Sequence, residues 1–113
     1  MDCLFCKIAA GELPSRVAYE DELIFAFHDL DPKAPFHILL IPRAHIPSAA
    51  DITPENSQLI ARIFEAAAAI AAREGFSSSG YRIVANTGPD AGQTVPHLHF
   101  HMLAGRNLGW PPG

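Results

Sequence analysis

Half of the chain's six histidines lie at alternate positions in PHLHFHML: His97, His99 and His101. The residues between them, Leu98, Phe100 and Met102, are apolar. Successive side chains on a β-strand point to opposite faces. A strand over 96–103 would therefore carry one apolar face and one row of imidazoles, with neighbours about 6.6 Å apart. Two chemistries suit such a row. Two or three imidazoles can hold a catalytic zinc that keeps an open position. Alternatively, one neutral imidazole attacks phosphorus through one nitrogen while an acceptor holds the hydrogen on the other, and its neighbours donate to phosphate oxygens. Three partly exposed histidines without a role would leave the clustering unexplained.

The segment just before the row bears on this choice. In TGPDAGQT, at Thr87–Thr94, Gly88 and Gly92 allow the backbone to approach an anion and present N–H groups to it. Gln93 and Thr94 add side-chain donors. Alone, the segment reads as an ordinary hairpin loop. Beside the histidines it favours a phosphate pocket over a metal-only site.

Cys3 and Cys6 form a C-x-x-C pair. They read either as small buried side chains or as half of a structural zinc site, for which His45 and His97 are available. A redox motif is the weaker reading, because no thioredoxin-like βαβ pattern surrounds them. Asp29, in FHDLDP, reads as a turn-former or as a carboxylate that accepts from ribose hydroxyls. His28 and His37 are equivocal, and Phe25 and Phe27 read as core.

These residues need elements to position them. Asp2 can cap a short helix over Cys3–Ala10, with Gly11 at its end. Strands are expected at Arg16–Glu20, Leu23–Leu30 and Phe36–Pro42, with a proline-rich connection at residues 31–35 and a loop over 43–52. Thr53-Pro54-Glu55 is a helix start. Leu59, Ile60, Ile63, Phe64, Ala67, Ala68 and Ile70 then recur at helical spacing, and Gly75 follows. A fourth strand is expected at Tyr81–Asn86, and the histidine strand closes the series. The order predicts an α+β fold: a mainly antiparallel five-stranded sheet with one long and one short helix.

At 113 residues the chain is one domain, 1–113, with enough length for a sizeable core. A net charge of −4 argues against nucleic acid as a partner held by bulk charge. No apolar run approaches a membrane span, and MDCLFCKIAAG is interrupted by Asp2 and Lys7, unlike a secretory signal. A cytoplasmic location is expected. The helix at Thr53–Gly75 has more apolar positions than one buried stripe needs. Its face, with the strand at Tyr81–Asn86, predicts a two-fold homodimer.

Four landmarks in order, CLFCKI, FHDLDPKAPFHILLIPRAHI, GQTVPHLHFHMLAGR and WPPG, resemble the histidine-triad (HIT) nucleotide-binding family in its Hint branch. The resemblance implies a HIT-like fold and gives each position a role. His99 matches the nucleophile that becomes nucleotidylated, His101 the histidine that contacts phosphate, and His97 the one that orients the site. Cys3, Cys6, His45 and His97 match the ligands of a structural zinc. Asp29 matches the ribose-binding acid, and Asn86, Gln93 and Thr94 the positions that bind phosphate or the leaving group. His37 matches a histidine behind the triad. Leu4, Phe5, Ile8, Phe27 and Leu30 match the apolar base pocket. Two departures stand out: Thr94 replaces a common serine, and Gly109 precedes Trp110 where some relatives carry histidine.

The third histidine, which is glutamine in the related nucleotidyl transferases, favours hydrolysis. The implied activity is cleavage of the P–N bond of purine nucleoside 5′-phosphoramidates, AMP or GMP derivatives. Dinucleoside polyphosphate hydrolysis is the alternative enzyme. A purine-nucleotide-binding dimer with weak turnover is the alternative class. The tail, Leu108–Gly113, is implied to cross toward a partner's site.

Overall fold

The computed structural model describes residues 3–113. Helix α1 spans Leu4–Ala9, followed by strands β1 (Val17–Glu20), β2 (Ile24–His28) and β3 (Phe36–Pro42). Helix α2 covers Ser57–Glu74, and strands β4 (Arg82–Val84) and β5 (Phe100–Ala104) complete the chain. The five strands form one antiparallel sheet in the order β1-β2-β3-β5-β4. This is the α+β architecture expected from the residue pattern.

Every residue of β3 is buried, as its apolar stretch Ile38–Ile41 requires of a central strand covered on both faces. Cross-strand partners share a face, so Phe27, Leu39, His101 and Val84 run across one side of the sheet. Ala26, Leu40 and Phe100 run across the other. Ile63, Ala66, Ala67 and Ile70 of α2 pack on that second side with Ile24, Ile38, Leu40, Phe100 and Met102. Gly75 closes α2 in the left-handed conformation at φ 84°, donating its N–H to the Ala71 carbonyl, as its place after the apolar pattern predicts. On the first side, Phe5 and Ile8 of α1 pack against Phe25, Phe27, Leu39 and Ile41. Six residues of helix cannot cover the whole sheet, and the end that carries His101 stays partly open.

Several boundaries differ from expectation: β1 starts at Val17 rather than Arg16, β2 covers Ile24–His28 rather than Leu23–Leu30, and β4 covers Arg82–Val84 rather than Tyr81–Asn86. The expected helix cap, Asp2, lies outside the described residues; Cys3 occupies the cap position of α1, its sulfur accepting from the Cys6 N–H. Thr53 does not cap α2. It starts a preceding turn, in which the Asn56 carboxamide accepts from the Thr53 N–H at 2.7 Å, and the helix begins at Ser57. The histidine strand begins at Phe100, so His97 and His99 precede it. Pro96 has no N–H to offer a ladder, and the Leu98 N–H goes to the Ile46 carbonyl at 2.6 Å. The β3–β5 pairing accordingly ends at Leu40 and Phe100. Among the described residues no helix is long and apolar enough to cross a membrane.

Candidate active site

Because residues 96–99 are irregular, the three histidines do not form a row. His97 turns inward and is wholly buried, whereas His99 and His101 lie side by side with ring centroids 5.3 Å apart. Phe5 meets the His99 ring edge-on at 5.1 Å and also abuts His97 at 6.0 Å. A catalytic zinc held by all three histidines does not match this arrangement. The geometry instead sorts the imidazoles into two groups with different chemistry.

Hydrogen-bond partners settle the neutral tautomers of the first group. Nδ1 of His99 lies 2.7 Å from the His97 carbonyl oxygen. A carbonyl only accepts, so Nδ1 carries the hydrogen and Nε2 keeps a lone pair. Nδ1 of His37 accepts from the Lys33 N–H at 3.0 Å. Its hydrogen therefore sits on Nε2, which donates to Nδ1 of His101 at 2.9 Å. That leaves His101 with its hydrogen on Nε2, as a donor. The same His37 Nε2 lies 3.5 Å from an oxygen of Asp29, whose other oxygen accepts from the Asp31 N–H at 2.8 Å. Burial lowers the pKa of His37 and takes that of His101 down to about 4, so both rings are neutral at neutral pH. A hollow of about 220 Å³ lies beside them, lined by Lys33, His37, Val84, Asn86, His101 and Leu103.

The second group gathers Cys3, Cys6, His45 and His97, whose donor atoms all lie within 4.8 Å of one another. Nδ1 of His97 is 3.2 Å from the Cys3 sulfur and 3.5 Å from that of Cys6, and Nδ1 of His45 is 3.4 Å from the Cys6 sulfur and 3.3 Å from Nδ1 of His97. Tetrahedral zinc with ordinary bond lengths has ligand–ligand edges of roughly 3.3–3.8 Å. Nε2 of His97 lies 2.9 Å from the Pro42 carbonyl and must donate to it, which frees Nδ1 as a ligand. Burial keeps His97 neutral, as a ligating imidazole must be. Burial and the neighbouring Cys3 thiol also raise the pKa of Cys6. A divalent cation between two thiols would reverse that preference. The donor set thus fits zinc. Asp29, His37 and His101 also lie close together, but the Lys33 N–H holds the His37 hydrogen on Nε2, where it goes to His101, with Asp29 standing 3.5 Å away.

The other residues read from the sequence fall into distinct places. Phe5, Ile8 and Phe27 are buried in the smaller core, whereas Leu4 is half exposed and Leu30 is 99% exposed. Gln93 differs from its reading as a donor to phosphate. Its carboxamide accepts from the Gly88 N–H and donates to the carbonyls of Pro47 and Val95, so it staples the loop. Thr94 is exposed beside it. Sequence reading missed three contributors whose roles come from backbone atoms or from distant packing: the Lys33 N–H, the Pro42 carbonyl and Arg43. The Arg43 guanidinium donates to the carbonyls of Ala9 and Asp21 and pairs with Glu20, tying the end of α1 to the β1–β2 hairpin. Only its position just after a buried strand hinted at this.

Known proteins place the chain in context. The model of the HIT domain family matches residues 10–108. A HIT-like protein of Synechococcus elongatus is 49% identical over 112 residues, covering 99% of this chain and 97% of that protein. The purine nucleoside phosphoramidase of Escherichia coli is 44% identical over 108 residues, covering 96% of this chain and 91% of that protein. Among solved structures, a HIT family hydrolase from Legionella pneumophila superposes with a TM-score of 0.97 at 48% identity, covering 99% of this chain and 100% of the other.

Proposed function

The chain belongs to the HIT domain family, and from that premise we propose that it is a hydrolase that cleaves the P–N bond of purine nucleoside 5′-phosphoramidates. The observation that carries this reading is the 2.7 Å bond from His99 Nδ1 to the His97 carbonyl, which leaves His99 Nε2 without a hydrogen. That nitrogen attacks the α-phosphorus. The P–N bond breaks, its electron pair leaves on the nitrogen, which takes a proton from solvent (the hydrolytic water later returns one), and a nucleotidyl-His99 remains. Water then cleaves the new bond, releasing the nucleoside monophosphate and the free ring. His101, with its hydrogen held on Nε2, donates to the phosphoryl oxygens as their charge grows. One such donor is typically worth about 3 kcal/mol of barrier.

In this reading Asp29 and Asn86 border the substrate, and Thr94 sits at the leaving-group side. Phe5, Ile8, Phe27, Leu4 and Leu30 supply the apolar surface for the base. Gln93 acts indirectly, by shaping the loop. The resemblance to the Escherichia coli phosphoramidase supports the choice of substrate. We also propose that Cys3, Cys6, His45 and His97 hold one zinc, which when bound supplies a cross-link between α1 and the segment before β5.

The deciding measurement compares turnover of adenosine 5′-monophosphoramidate with that of a dinucleoside polyphosphate, with acid-quench trapping of the covalent adduct. Faster phosphoramidate turnover with label on His99 is the expected result. Faster dinucleotide turnover would move the reading to a polyphosphate hydrolase. Binding without an adduct would leave a nucleotide-binding module.

A further inference from the structure

The carbonyl that orients the nucleophile belongs to no strand. His97 precedes β5, and its neighbours are held by isolated contacts: Leu98 N–H to the Ile46 carbonyl, and His97 N–H to the Val95 carbonyl at 2.9 Å. What fixes His97 is its own side chain. Nε2 donates to Pro42 at the end of β3, and Nδ1 faces Cys3, Cys6 and His45. The same cluster ties down α1, whose Phe5 lies between the two cysteines in sequence and meets the His99 ring at 90°.

We infer that Cys3, Cys6 and His45 are positioning residues for His99: closed around a divalent metal, they hold His97 so that its carbonyl keeps the His99 hydrogen on Nδ1, and they hold Phe5 against the His99 ring. The cluster does the work that strand pairing does for His101. Without it the His97 carbonyl has no ladder to return to, and His99 samples the tautomer whose Nε2 carries the hydrogen and cannot attack. The inference rests on the reading of His99 as nucleophile, but its structural content is the coupling between cluster and ring.

The test uses the full chain without a histidine tag, loaded with zinc or stripped of it, and ¹⁵N side-chain spectra of the histidines. His45 is exposed, so His45→Ala removes one ligand without opening either core, and His45→Cys restores a fourth donor. In zinc-loaded protein His99 should show a single Nδ1–H tautomer. Stripping zinc, or His45→Ala, should mix the tautomers and lower kcat by about tenfold or more, the usual effect of losing a ligand-orienting contact. AMP affinity should fall by less than kcat, because Phe27, Leu30, Asp29 and Asn86 lie outside the cluster. His45→Cys should recover both tautomer and kcat. His45→Ala, which keeps three donors, carries the test if the stripped chain unfolds. A single tautomer and full kcat in both altered proteins, with only a lower melting temperature, would overturn the inference, as would failure to bind zinc. If the loaded wild type forms no adduct, the proposed reaction fails while the tautomer spectra still judge the coupling.

Discussion

In their neutral tautomers, Nε2 of His99 and Nε2 of His101 are chemically opposite, although the two rings lie side by side. One is a bare nitrogen because a carbonyl holds the hydrogen on Nδ1; the other carries its hydrogen because His37 donates to Nδ1. His99→Ala should therefore lower phosphoramidate turnover by about 10⁴-fold or more, the scale seen when a nucleophile is deleted. AMP affinity, measured by calorimetry, should survive, because the smaller side chain leaves the sheet face and Asp29 in place. The buried pair also predicts a pH effect. His101 has an ordinary pKa of 6.5 when unfolded and about 4 in the fold, so between those values the unfolded chain binds more protons. Unfolding free energy should rise with pH across that window, and it should be lost as pH falls from about 6.5 toward 4. His37 and His28 are lowered in the same direction and add to the slope. Urea melts at a series of pH values, with NMR titration of His101, check this; a His101 midpoint near 6.5 would contradict the burial argument.

At the scale of elements, the site depends on where β5 starts and stops. Its start is set by Pro96 and by the capture of the Leu98 N–H by Ile46, which release His97 and His99 from the ladder. Its end is set at Gly105, which has φ 98° and would place an added Cβ 2.9 Å from Cβ of Pro35. Both the left-handed backbone and the close proline exclude a side chain there. Pro35 ends the connection into β3, and Arg106 beyond the glycine donates to the Lys33 carbonyl at 2.7 Å. Gly105→Ala should cost on the order of 1–3 kcal/mol from backbone strain, with the contact adding to it. Denaturant unfolding measures the loss. A shift in the Lys33 amide resonance, whose N–H holds the His37 tautomer, should accompany it. A variant as stable as wild type would show that the proline moves away freely.

At the scale of the molecule, one face of the sheet is covered by α2, and the outer surface of that helix remains open. Phe64 is 48% exposed although it packs on Phe100, Tyr81 is 37% exposed, and Trp110 is 81% exposed and touched by Arg82. β4 has only three residues and is paired on one side, to β5. An edge strand and apolar side chains gathered near it are the makings of an isologous contact. We propose a two-fold homodimer built on α2 and β4, with the tail reaching toward the partner's site. Sedimentation at micromolar concentration should give twice the chain mass of 12.2 kDa. Deleting residues 110–113 should change substrate selectivity or rate more than melting temperature. A fully active monomer would refute both.

The residue pattern by itself determined most of the architecture. The apolar stretch Ile38–Ile41 marks a buried strand over Phe36–Pro42, the 3.6-residue spacing from Leu59 to Ile70 specifies α2, and Gly75 marks its end. It also marked His97, His99 and His101, with Cys3, Cys6 and His45, as the residues of chemical interest, since titratable and sulfur side chains so grouped are rare in plain packing. Alternation could not reveal that the histidines leave the strand. Period two describes side-chain direction only where a ladder exists, and the ladder's end depends on which distant carbonyl captures one N–H. Nor could it show that the donors of Gln93 are engaged by backbone, that Leu30 is solvated, or that the Lys33 N–H sets the tautomer of His37. Those are contacts between segments far apart in sequence, made by atoms every residue possesses. Residue type therefore picked out the candidate groups, and only the tertiary structure decided which nitrogen of each ring bears the hydrogen.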